Sequence, residues 1–182
     1  MRVYLASTLS ALAELHKSGG IAPAPLAAYA VTPALREWYA EGDTEELEHV
    51  ALTHAARASL RLLADEAGDH AVGETASAPA LRRVVLAADI ADADARQCAD
   101  IDVAAVCVDN VVEFSAVVSA HLDDADAAAD IAAGIRALAV LDTGNDDAQF
   151  AVDSVDDHEL LWFAAQEIAS LIEYWSIERE EL

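Results

Sequence analysis

The sequence predicts a mixed α/β or α+β protein, with a single sheet of four to five strands and helices packed mainly on one face. Two observations carry this. Short Val- and Leu-rich runs alternate with segments whose apolar residues recur at helical spacing. Alanine also dominates the apolar residues, which make up 55% of the 182, while aromatics are only 5%. Alanine favours helix, and a core poor in large side chains relies on close helix approach. The length and apolar content suit one domain over residues 1–182 that needs neither disulfide nor metal to fold.

The elements follow in order. Arg2 to Ala6 is a strand, and Ser7 or Thr8 caps a helix carrying Leu9, Leu12, Ala13 and His16. Ser18-Gly19-Gly20 stops that helix, and a loop through Pro23 and Pro25 follows. Ala27 to Val31 is a second strand. Thr32 then caps, and Pro33 opens, a helix to about Tyr39. Asp43 and Glu46 have capping-box spacing for a helix over about 44–64, with Leu47, Val50, Ala51, His54, Ala55, Ala58 and Leu62 as its apolar stripe. Residues 65–80 lack periodicity and read as a mobile loop.

Leu81 to Ala88 reads as a strand buried on both faces, and Val103 to Val108 as the next. Asp109-Asn110 supplies a turn, so Phe114 to Leu122 is expected to pair with 103–108 as a hairpin strand, with a helix as the alternative. Asp123 or Asp124 caps a helix that turns Ala128, Ile131, Ala132, Ile135 and Leu138 inward. After a polar loop at 143–147, Asp156 or Asp157 opens a last helix with Leu161, Ala164, Ala165, Ile168, Leu171 and Ile172 on the core. A charged tail at about 177–182 is expected to fray. Arg2-Val-Tyr-Leu-Ala recurs as Arg83-Val-Val-Leu-Ala, and Ala28 to Val31 resembles Ala105 to Val108, which raises the question of a duplicated unit.

Charge narrows the function classes. Ten Lys and Arg against 34 Asp and Glu give a formal net charge of −24, which repels polyanions and argues against nucleic acid as a partner. Lys17 is the only lysine, a bias that fits a GC-rich or salt-adapted genome. The N-terminus lacks a leader pattern and no window is apolar enough to span a membrane, so a cytoplasmic protein is expected, with Cys98 and Cys107 as reduced thiols. There is no glycine-rich phosphate loop and no Gly-x-Ser-x-Gly elbow. His49 and His54 miss the four-residue metal spacing, and Asp123, Asp124, Asp126 and Asp130 lack the glycine and terminal glutamate of a calcium loop. No cofactor and no metal is therefore expected.

Two constellations remain. Read as helical, His158, Trp162 and Gln166 fall at i, i+4 and i+8 with Glu159, Phe163 and Glu167 beside them, forming a polar and aromatic stripe for packing or for a partner. His158 with Glu159 or Glu167 could transfer a proton, and His158 with Glu167 is the pair carried forward as catalytic candidates. Arg36, Glu37, Trp38 and Tyr39 crowd one short helix, where Arg36 suits a carboxylate or phosphate or pairs with the acids at 45–48. Arg36, Glu37, Tyr39, Trp162 and Gln166 are thus the candidate ligand or partner residues. A non-catalytic binding or interaction module, with a protein partner or self-association, is the first expectation. A small-molecule enzyme using His158 and Glu167, with Arg36 and Tyr39 holding an anion, is the alternative.

Four segments taken together, Met1-Arg-Val-Tyr-Leu, Ala30-Val-Thr-Pro-Ala-Leu-Arg-Glu-Trp-Tyr39, Glu45-Glu-Leu-Glu48 and His158-Glu-Leu-Leu-Trp-Phe163 with Gln166-Glu167-Ile168, resemble an uncharacterised family of small acidic actinobacterial proteins. In that family proline usually follows the opening strand and the Gln-Glu-Ile step, where this chain has Ala6 and Ala169. The resemblance implies a cytoplasmic protein of a domain-of-unknown-function family. It transfers no activity, catalytic residue or cofactor.

Overall fold

The structure is a computed structural model that describes residues 1–21, 24–69, 81–98, 100–141 and 144–180, with side chains as far as Trp175. Strand β1 (Arg2–Ser7) sends Val3 and Leu5 into one buried face and Tyr4 into the other, so it is central. Thr8 then accepts the Ala11 N–H through its hydroxyl at 3.1 Å and starts α1 (Leu9–Ser18). Gly19 ends it at φ +81°, a left-handed conformation that glycine adopts without Cβ strain. After β2 (Gly20–Ile21) and β3 (Leu26–Tyr29), Thr32 caps α2 (Pro33–Trp38) through the Leu35 N–H. The expected capping box opens α3 (Thr44–Asp69): Glu46 N–H donates to Asp43 at 2.9 Å, and Asp43 N–H donates back to Glu46 at 3.0 Å.

The second half comprises β4 (Val84–Asp89), β5 (Ala95–Gln97), β6 (Ala105–Val108), β7 (Val112–Glu113), β8 (Val117–Asp123), α4 (Ala128–Leu141), α5 (Asp146–Asp156), β9 (Leu160–Ala164) and α6 (Ile168–Glu180). Among the described residues, seven strands form one antiparallel sheet in the order β5-β6-β3-β1-β4-β8-β9, and β2 pairs with β7 separately. One face packs against α1 and α6, with Leu12, Leu15 and Ile168 meeting Val3, Leu5, Leu86 and Leu122. The other packs against α2 and the first half of α3, with Leu35, Leu47, Ala51 and Ala55 meeting Tyr4, Tyr29 and Val85. Farther along α3, Leu60 and Leu63 join Ile131, Val152 and Val155 of α4 and α5 in a third cluster.

Several expectations are corrected. The sheet has seven strands rather than four or five, because β5 is three residues without an alternating apolar pattern and β9 reads as helix in sequence. Helices cover both faces of the sheet, not mainly one. Residues 117–123 are indeed a strand, but β8 pairs with β4 and β9 and not with 103–108, and 114–116 is a 3-10 turn. Residues 65–69 are helical, since α3 continues to Asp69; the rest of the loop expected at 65–80 lies outside the described residues from 70 on. Helix α6 reaches Glu180, and residues 181–182 of the tail lie outside the described ones.

The single helix expected from 156–157 onward is instead β9 and then α6, and α5 precedes them where only a polar loop was expected. Asn145 caps α5 within the supposed loop, accepting the Asp147 and Ala148 N–H groups. Leu160 to Ala164 is a short unbroken apolar run, which periodicity alone cannot assign, and the free side of β8 claims it as a strand. Cys98 and Cys107 are joined in a disulfide rather than free, because the antiparallel β5–β6 pair brings their Cα atoms to 5.8 Å. The sequence echo does not extend to a shared element order, as β1 leads into α1 whereas β4 leads into a 3-10 turn and β5.

Candidate functional site

Strand β9 ends the large sheet on one side, so one row of its backbone groups has no neighbouring strand among the described residues. Which groups these are follows from β8. The Asp123 N–H donates to Arg83 O, toward β4. By alternation, Leu122 and Ala120 therefore turn toward β9 and bond their opposites, Leu161 and Phe163. The backbone groups of Leu160, Trp162 and Ala164 point outward. An independent contact agrees: the Ala164 N–H is taken by the Glu167 carboxylate at 2.7 Å. The open part of the edge is centred on Trp162.

The side chains match. Leu160 to Ala164 carries no charged residue, Trp162 is 61% exposed and Leu161 44%. Trp162 shares a face with its cross-strand neighbour His121, beyond β1, β3 and β4, where α3 lies. Burial, and then the Arg2 charge, lower the His121 pKa below its ordinary value. Its ring contacts the Ser119 hydroxyl at 3.2 Å. The opposite edge of the sheet, β5, is three residues long and carries Arg96, which are ordinary guards against strand addition.

Both ends of β9 are held. Before it, Arg83, 1% exposed, spans Asp123 with Nε to Oδ2 at 2.9 Å and Nη2 to Oδ1 at 2.8 Å, and donates from Nη2 to the His158 carbonyl at 3.0 Å. Its Nη1 lies 3.3 Å from Asp156, which Arg57 of α3 also binds at 2.6 Å. The His158 ring is bonded to Asp130 of α4 at 2.7 Å. After the strand, Glu167 closes the turn onto Ala164. Both flanks of this edge are thus tied by hydrogen bonds to neighbouring parts of the fold.

The candidate residues distribute as follows. His158 lies in the bend before β9, Trp162 in β9 itself and Gln166 in a 3-10 turn, so they do not form the expected helical stripe. Arg36 Nη2 sits 3.5 Å from the Thr44 hydroxyl, beside rather than on the acids at 45–48. Glu37 is exposed on α2. Tyr39 lines a broad open groove with Gly42, Glu45, Leu47, His49 and Val50; none of His158, Trp162, Gln166, Glu167 or Arg36 lines it. His54 is part-buried, as its place on the apolar stripe suggests, with Nδ1 2.9 Å from an Asp102 carboxylate oxygen. No group of three or more His, Cys, Asp or Glu side chains able to hold a metal occurs among the described residues, and no helix among them is long and apolar enough to cross a membrane.

Sequence reasoning missed Arg83 and the edge itself. The available signal was Arg83 at the head of the fully apolar run Val84 to Ala88, a charge where the pattern demands burial.

These features define a mixed α/β protein built on an antiparallel sheet with one guarded and one open edge. The chain belongs to a family of unknown function, DUF6912, whose family model matches residues 1–172, in keeping with the resemblance read from the sequence. No curated protein and no solved structure matches it.

Proposed function

We propose that this protein is a non-catalytic interaction module that binds a protein partner along the outer edge of β9. The single observation that carries this reading is a charge-free edge strand whose outward backbone groups and exposed Trp162 lie together at the end of the sheet. Unguarded edges of this kind pair with other chains. The candidates for the small-molecule reading are engaged otherwise: His158 on Asp130, Glu167 on the Ala164 N–H. The reading keeps the cytoplasmic setting expected from the sequence. Thiol labelling inside its own cells tests that setting, and a Cys98–Cys107 pair that resists labelling there counts against a reducing compartment.

Tagged wild type and Trp162→Lys, recovered from the organism of origin and also weighed by light scattering over a concentration series, test the interaction. Lysine on an edge blocks strand addition. A partner or self-association present in wild type and lost in Trp162→Lys is expected. Neither a reproducible partner nor self-association in wild type contradicts the proposal.

A further inference from the structure

We infer that the occupant of the β9 edge is an extended segment of a basic protein, added as an eighth strand, with Lys or Arg side chains flanking an apolar residue that faces Trp162. This rests on the reading of β9 as the interaction surface. Charge selects the occupant. Between Arg136 and Arg179 the chain has no lysine or arginine but ten Asp and Glu, and β9 lies in that stretch. Asp157 and Glu159 stand exposed just before the strand and Glu167 just after it. Neighbouring strands lie about 4.8 Å apart, inside the screening length of roughly 8 Å at physiological salt, so charges flanking an added strand are felt.

A second copy fits less well. Paired antiparallel about Trp162, it sets Asp157 against Glu167 at both ends, and like charges directly opposite destabilise a strand pair. It also joins two bodies of net charge −24. A basic segment relieves both, and its outward bonds go to Trp162 and Leu160 while its apolar residue covers the indole.

The test uses the full chain and three labelled heptapeptides of alternating sequence: Lys with Val, Glu with Val, and Lys with Pro. The last keeps the charge but has no N–H at alternate positions. Anisotropy at two salt concentrations is read for wild type and Trp162→Thr, with melting curves for both. The expected result is Lys-Val binding at least tenfold tighter than Glu-Val or Lys-Pro, weakened by salt, and reduced at least tenfold in Trp162→Thr with melting unchanged. Equal binding of Lys-Pro shows plain charge attraction and overturns the inference. Glu-Val binding as tightly through Trp162, or a Trp162-dependent dimer that takes no peptide, overturns the basic partner while leaving the edge reading in place. No peptide binding and no Trp162-dependent association overturns both.

Discussion

Arg83 shows how a single residue ties three parts of the molecule together. Its guanidinium, fully inside, joins β8 through Asp123, α5 through Asp156 and the entry of β9 through the His158 carbonyl. Removing one member of a buried pair strands the other charge, so Arg83→Ala is expected to cost about 3–5 kcal/mol. Replacing both partners, as in Arg83→Met with Asp123→Leu, is expected to recover much of that; urea denaturation reads both. His121 gives a pH signature. Its folded pKa lies below the ordinary value of about 6.5, so the unfolded chain takes up the proton first. Its stabilising contribution is complete above about pH 6.5 and is lost as pH falls toward the folded pKa; His121→Leu is expected to flatten stability against pH in that window. Tyr4, whose pKa is pushed up to about 12 by burial and then by the Glu48 charge, stays neutral throughout. At this scale the caps at Thr8, Thr32 and Asp43 with Glu46 were legible because they act locally, whereas the Asn145 cap was hidden in a run of turn residues. Arg83 was not, because its partners lie 40 and 73 residues away along the chain.

Among the elements, β9 separates local from tertiary information. Leu161, Ala164, Ala165 and Ile168 fit a helical stripe as well as a strand with a turn, and only the free side of β8 decides. By contrast, the run Val84 to Ala88 announced its central place because all five residues are apolar and buried on both faces. Helix α4 approaches α5 and α3 closely at a glycine. At Gly134 of α4 an added Cβ would lie 2.7 Å from Val155 Cγ2 and 3.3 Å from Leu60 Cδ2. Gly134→Ala gains up to about 1 kcal/mol of helix propensity but overpacks a tight junction, costing about 1–3 kcal/mol, so net destabilisation in thermal melts is expected. Trp162→Lys alters an exposed side chain of β9 and is expected to change stability by no more than about 0.5 kcal/mol.

For the whole molecule, the net charge of −24 opposes compaction while a sheet with helices on both faces holds it together. Added sodium chloride screens the repulsion, so the melting temperature is expected to rise between low and moderate salt; a fall would show that attractive ion pairs dominate. Apolar runs alternating with helical-period segments made the mixed α/β class legible, yet strand count and order depend on which edges remain open, and the sequence does not print that. The central claim is that β9 bonds inward through Leu161 and Phe163 and, among the described residues, meets no outward partner at its centre. Amide hydrogen exchange resolved by residue tests it most directly. Protection of Leu161 and Phe163 together with fast exchange of Leu160 and Trp162 in the isolated chain is the predicted result, and Trp162 protected as strongly as its neighbours contradicts it.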